Sequence, residues 1–536
     1  MFLFFGTLLL FSLSEAAAFS SSRYQHGRLC SSAIQLTASN LVKDTSPPDF
    51  VVPQKLPLSI EPTEQASICV IGAGVSGLTA AITAAVAAAS ENDDDGKKIV
   101  VFEATDRVGG RVQSDTTDDG FIMDRGFAVF IEEYPWSKAL LDYDELSLGK
   151  FLPGALLKIA GETELIRVSD PLRNPADVIT ALLAPIGTLK DKIKLVPLIV
   201  NVRRKSIEAL FEEPETDTLT ALKERWGFSD EILNKFFRPF VEGIFLSPLE
   251  EQSSRMFSFV FKMFSEGSAT LPLGGMKQVS EQLQNKAIRL GVDIRISQPI
   301  SGIIQKEDGG YIVQTSDGKS RIESDVVVVA TDVRVAQKLI SQIPDLDLKE
   351  ISPEINQRSV GCLYYSFEGN APVRDPILIL NGEGERRGSR ESPINNVCFP
   401  TAVHAGFAPP RKGLCSVCIL EGAMELYRGE EDELDRAIRN QLASWFPDYQ
   451  CNIRDNWKLL GIYYIPNAQP IQQGVNAANV NGGRHCGTFR GVELPQNLFV
   501  CGDHMATSSL NGALESGVNA GNAAASPASI AITSKN

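Results

Sequence analysis

The sequence is poor in the residues that build metal centres, disulfide frameworks and basic binding surfaces. Four histidines are spread over 536 residues. None sits in an HExxH run, and no Ser-His-Asp set or paired-carboxylate motif is evident. Nine cysteines are too few for a disulfide scaffold and suit buried thiols used as small apolar residues. Cys415-x-x-Cys418 lacks the second pair that a zinc site needs, so no metal is expected. Basic side chains number 51 against 66 acidic ones, a net charge of −15. Such a chain does not draw nucleic acid through bulk electrostatics, and no nucleic-acid partner is expected. What is present is ordinary for a globular protein: 43% apolar and 22% charged residues, which excludes wholesale disorder and a multi-span membrane protein.

Residues 1–62 read as an address and a linker. Residues 1–13, MFLFFGTLLLFSL, form an apolar run too short to span a bilayer but suited to a secretory signal. From Ala16 to Lys43 there is no acidic residue, while Ser is abundant and Arg23, Arg28 and Lys43 are present, the composition of a transit peptide. The two signals joined at Ala17-Ala18-Phe19-Ser20 resemble the bipartite presequence of algae with red-lineage plastids. The Pro-rich stretch up to Pro62 reads as a linker.

The next segment carries the strongest motif. Residues 67–71, SICVI, form a short β-rich run leading into Gly72-Ala73-Gly74-Val75-Ser76-Gly77 and then an alanine-rich helix former. Strand, glycine turn and helix are the setting in which GxGxxG binds a dinucleotide. Gly72 permits the tight turn, Gly74 lets a pyrophosphate approach, and Gly77 lets helix and strand pack closely. A second strand, residues 98–102, ends at Glu103, whose carboxylate can accept hydrogen bonds from a ribose. The acidic insert around Asp93-Asp94-Asp95 lengthens the spacing as a surface turn.

Directly after Glu103 stands Arg107-Val108-Gly109-Gly110-Arg111. Here the chain resembles the superfamily of flavin-containing amine oxidases and phytoene desaturases. The resemblance continues through Met123-Asp124-Arg125-Gly126, the strand-like residues 324–331, and Cys501-Gly502-Asp503 with Asn511-Gly512-Ala513-Leu514. It implies noncovalent FAD held by Gly72, Gly74, Gly77, Glu103, Gly110, Arg111, Gly126, Ile300, Gly502, Asp503, Ala513 and Leu514. In that scheme Gly110 and Arg111 run along the pyrophosphate and Gly126 passes beside the isoalloxazine. Ile300 meets adenine through its backbone, and Asp503 meets a ribityl hydroxyl. The helix that starts at Asn511-Gly512-Ala513-Leu514 faces the flavin O2 edge with its free N–H groups. The fold implied is α/β: a Rossmann-like FAD-binding domain assembled from residues 63–133, 270–335 and 490–530. A second, α+β substrate domain with a helical insertion takes residues 134–269 and 336–489.

Residues 134–290 read as mostly helical. Residues 190–210 are basic and apolar on an acidic chain, which fits either a peripheral membrane contact or a core helix with a solvated basic face. A dense aromatic run follows, Phe236 to Phe264, fitting either an apolar tunnel or plain core. Tyr463 and Tyr464, before Ile465-Pro466-Asn467-Ala468, match a desaturase-like segment and are candidate substrate contacts; an edge strand closed by prolines is the alternative. A flavin accepts hydride at N5, so the protein need only place a C–H bond and shape the pocket, and no catalytic residue is singled out. His504 beside Asp503 is either near the flavin or a packing residue. The resemblance implies a plastid FAD oxidoreductase that desaturates or isomerises a carotenoid-type, apolar small molecule. The alternatives are an amine oxidase, for which Lys277 is the candidate lysine near the flavin, a protoporphyrinogen oxidase-like enzyme, and a non-catalytic FAD-binding protein. Oligomeric state is left open.

Overall fold

Short β-branched runs alternate with glycine turns at both ends of the chain, and in the folded molecule they lie side by side. The structure, a computed structural model, describes residues 38–45, 61–90, 97–127, 129–169, 173, 184–344, 346, 357–472, 486–489 and 492–526. Residues 1–37 and 46–60, most of the address and linker, lie outside the described residues, as does His485.

Five parallel strands form the cofactor-side sheet in the order Asp293–Arg295, Ile99–Phe102, Glu64–Ile71, Arg321–Val329, Leu498–Val500. The register sets Ile71 opposite Phe102 and Val329, and Val329 opposite Val500, so their carboxyl ends share one edge. Ile99–Phe102 and the second half of Arg321–Val329 are nearly continuous Val and Ile because both faces are covered. An antiparallel layer, Ile300–Gln305 with Tyr311–Thr315, extends the sheet from the first half of Arg321–Val329. Helix Val75–Ser90 lies on one face, packed against helix Leu510–Ala525. Two glycines allow that approach: a Cβ on Gly517 would stand 2.5 Å from the Ser76 carbonyl oxygen, and one on Gly521 2.5 Å from that of Ala80.

The second sheet has eight strands, with Lys458–Pro470, Gln357–Glu368, Lys412–Leu420 and Ile394–Cys398 as its antiparallel centre. Two findings correct the sequence reading. Residues 134–290 are not mostly helical throughout: Gly154–Ile159 and Ile166–Ser169 form a hairpin that joins this sheet beside Leu378–Gly382. The in-and-out alternation that marks a half-buried strand is absent there, because Ala155, Leu156 and Leu157 are all buried. Residues 1–62 are not all address and linker either: Val42–Asp44 pairs in parallel with Ile462, Tyr463 and Tyr464 and covers the sheet edge, and Ala38 is buried in the adjoining core.

Helices Leu189–Arg204 and Ser254–Glu266 build a third layer. Thr188 and Asp191 close a capping box on the first of them, which also tolerates Pro197. Its second half behaves as a core helix, burying Leu198, Ile199 and Val202. Its first half does not: Leu189 is 61% and Ile193 60% exposed, and Val196 is exposed as well. Among the described residues no helix is long and apolar enough to cross a membrane.

Candidate active site

The carboxyl edge of the parallel sheet is where an open α/β fold binds its ligand. Gly72 follows Ile71 with φ +107°, and a Cβ there would meet the Ala330 carbonyl oxygen at 2.6 Å. A Cβ on Gly77 would stand 1.9 Å from the Gly72 oxygen. Gly74 differs from both: no atom lies within 4 Å of its missing Cβ, so it faces open space. The second glycine pair lies against this turn. Gly109 N–H donates to the Ala73 oxygen at 2.9 Å, and Gly110, φ +58°, sits 3.5 Å from the Gly74 Cα as measured from its absent Cβ. Backbone rather than side chain therefore lines the path that a pyrophosphate needs, at the positive end of helix Val75–Ser90.

Glu103 closes one end of this path. It is buried, and its carboxylate accepts from Ala73 N–H at 2.9 Å, Thr105 N–H at 2.9 Å and the Thr105 hydroxyl at 2.8 Å. A carboxylate has room for about four such bonds, so it retains capacity for a ribose hydroxyl. Beside it, Gln298 N–H donates to the Glu103 carbonyl oxygen, which brings the start of the Ile300 strand to the same corner.

Asp503 closes the other end, after the Leu498–Val500 strand. The Arg111 guanidinium donates to it at 2.6 Å and to the Ala468 carbonyl oxygen at 2.9 Å, joining three distant stretches of chain. Gly502 leaves room for the His504 ring, which a Cβ would meet at 2.4 Å. His504 packs edge-on against Phe489, and burial holds its pKa below the ordinary value. Ser509 caps helix Leu510–Ala525, so Ala513 and Leu514 lie in its first turns as expected. Gly126, φ +99°, lies 3.5 Å from Ile465 by the same measure.

A cavity of about 860 Å³ opens beside this edge. Ser508, Ser509, Leu510 and Gln469 line it on the cofactor-domain side; Leu152, Ile193 and Val196, all exposed, line its outer side. The aromatic run divides by helical period: Phe236, Phe240, Phe261 and Phe264 line the cavity, while Phe237, Phe257 and Phe259 are core. A wider, π-type helical stretch, Leu233–Glu242, carries Phe236, Pro239 and Phe240 to the wall.

Tyr463 and Tyr464 do not line this cavity. Adjacent strand residues face opposite sides of a sheet. Tyr463 turns inward and donates to Asp115 at 2.9 Å, with Lys43 donating to its hydroxyl at 3.2 Å. Tyr464 packs toward the other core. Gln469, further along the same strand, is the residue that reaches the cavity, and it donates to the Ser508 carbonyl oxygen at 2.9 Å. A left-handed Asn467, φ +56°, reorients that stretch. Lys277 Nζ donates to the Thr116 hydroxyl at 3.2 Å and is absent from the cavity wall. Cys415 and Cys418, three apart on one strand, fall in different cores on opposite faces.

A glycine-lined path between two carboxylates, at the carboxyl edge of a parallel sheet, defines a dinucleotide-binding protein. Residues 75–525 match the flavin containing amine oxidoreductase family, and the chain belongs to it. It is an FAD-dependent oxidoreductase. It is 26% identical over 490 residues to the 15-cis-phytoene desaturase, chloroplastic/chromoplastic, of Solanum lycopersicum, covering 86% of this chain and 77% of that one. It is 23% identical over 356 residues to protoporphyrinogen oxidase 1, chloroplastic, of Arabidopsis thaliana, covering 60% of this chain and 61% of that one. Among solved structures, cyclohexylamine oxidase from Brevibacterium oxydans superposes with a TM-score of 0.59 at 16% identity, covering 86% of this chain and 99% of that one.

Proposed function

We propose that this FAD-dependent oxidoreductase desaturates or isomerises a long apolar polyene of the carotenoid or isoprenoid class, in a plastid. The observation that carries the reading is the cavity. It is large, its wall is mostly aliphatic and aromatic, and among the described residues it holds no carboxylate, histidine or cysteine to act as acid, base or nucleophile. A site of this kind binds by exclusion of water, at ~0.8 kcal/mol for each buried CH₂. Gly72, Gly74, Gly77, Gly110, Glu103 and Asp503 would hold FAD, which would supply a hydride acceptor. Phe236, Phe240 and Phe264 would hold the chain of the substrate, and Gln469 and Ser508 its reacting segment. Exposed Ile193 and Val196 on the outer side suit entry from a lipid phase. The chloroplastic relatives and the bipartite look of residues 1–43 support the plastid assignment.

The charges in the cavity speak against an amine substrate. Arg173 and Lys192 line it, and either would repel an ammonium group. Lys277 is engaged elsewhere.

Anaerobic addition of substrate to the yellow holoprotein tests the proposal. Loss of the flavin absorbance with a hydrogenated polyene such as phytoene, and none with spermidine, is the expected result. Bleaching by spermidine alone would overturn it.

A further inference from the structure

We propose that Arg173 is a specificity-determining residue that pairs with a carboxylate on an otherwise apolar substrate. The inference rests on the apolar-cavity reading above and extends it from hydrocarbons to polyenes that end in an acid. Arg173 lines the cavity and has no carboxylate partner among the described residues. Its Nη1 donates to the Gly267 carbonyl oxygen at 2.7 Å and to that of Phe264 at 3.3 Å, and its Nη2 donates to the Ser268 hydroxyl at 3.0 Å.

A guanidinium has five N–H donors. Three are engaged by described residues, and among the described residues Nε–H and one Nη2–H have no acceptor. Gly267 and Ser268 are neighbours in the chain and take the Nη1–Nη2 end, so the remaining two donors form the side edge that matches a carboxylate fork. The charge is also only partly compensated. Phe264 and Gly267 lie at the carboxyl end of helix Ser254–Glu266, which supplies roughly half a negative charge. The acids near this end are occupied: Glu132 pairs with Lys150 at 2.7 Å and accepts from Ser268 N–H, and Glu133 pairs with Lys138. Lys192, the other cation on the wall, donates to the Ala184 carbonyl oxygen. A permanent cation on the wall of an apolar cavity, with one edge of its fork unpaired among the described residues, suits an anion that enters attached to an apolar body.

The test is a titration of the holoprotein with all-trans-retinoic acid and with its methyl ester, read by the flavin absorbance and fluorescence. The two probes share a polyene and differ in charge. Wild type should bind the acid at least about tenfold more tightly than the ester. Arg173→Gln should erase that ratio and Arg173→Lys should restore part of it, with flavin content per chain reporting that both variants are folded. Equal affinity of wild type for acid and ester would overturn the role of Arg173 and leave the apolar-cavity reading standing. Retention of the preference in Arg173→Gln would do the same. Binding of neither probe would overturn the cavity reading as well. Palmitate binding as tightly as retinoate would assign the edge to a free fatty acid and overturn its role in substrate choice.

Discussion

Asp124 belongs to the segment that the sequence marks beside Gly126, and its surroundings show what that segment holds together. It is buried, accepts from the Ser114 hydroxyl at 2.5 Å and from Met276 N–H at 2.8 Å, and so ties the turn after Arg111 to the start of helix Lys277–Arg289. Burial pushes its pKa up to about 6, against 3.8 for a free aspartate, and the two hydrogen bonds only partly offset this. The folded state thus holds a proton that the unfolded chain has released. The stabilising contribution is complete below pH 3.8 and is lost as pH rises through about 6. A shift of this size corresponds to about 3 kcal/mol. Urea unfolding of wild type and Asp124→Asn across that window should show wild type losing about 3 kcal/mol relative to the variant as pH rises. A constant difference would show that Asp124 titrates normally. At this scale the sequence was most legible where backbone geometry dictates the residue. Gly72 and Gly77 have no space for a side chain, and Glu103 follows a strand directly. Tyr463 and Tyr464 do not line the cavity: as neighbours on one strand they face opposite sides of the sheet, and each meets a packed core. Arg173 carried no local signal at all, since its acceptors lie more than 90 residues away.

Elements with one hydrophobic period and a clear stop were legible as well. The strands at Tyr311–Thr315 and Arg321–Val329 stand where valine and isoleucine residues meet polar turns. The hairpin Gly154–Ile159 with Ile166–Ser169 was hidden because its first strand is buried on both faces, and a short continuous apolar run reads equally as buried helix. The strand Val42–Asp44 was hidden for another reason: its first two residues end the Ser-rich, acid-free stretch from Ala16 to Lys43, and only the exposed edge of Lys458–Pro470 gives it a role. A chain starting at residue 46 should therefore be less stable than one starting at residue 38 by about 1–3 kcal/mol, as measured by urea unfolding. Thr45 would lose its bond to the Tyr464 carbonyl oxygen and Tyr463 its contact with Lys43. Equal midpoints would mean that this strand adds nothing to the mature fold.

Across the whole molecule, the two halves of the function were unequally legible. The cofactor edge is assembled from backbone turns that leave signatures, whereas the cavity is assembled from apolar side chains of two layers that look like any core. The outer side of that cavity also gives a test of peripheral membrane contact. Helix Leu189–Arg204 carries five cations and one acid and exposes Leu189 and Ile193. This combination suits the surface of an anionic bilayer. Vesicles containing anionic lipid should sediment with the protein, and Leu189→Asp with Ile193→Asp should reduce that binding about tenfold, or ~1.4 kcal/mol. Unchanged sedimentation would leave the patch without a membrane role. The convergence of Glu103 and Asp503 on one FAD is the premise beneath all of this, and titration of deflavinated protein with FAD addresses it directly. One FAD per chain is expected, with Glu103→Ala and Asp503→Ala each weakening binding at least about tenfold. Affinities unchanged by removing either carboxylate would contradict the site described.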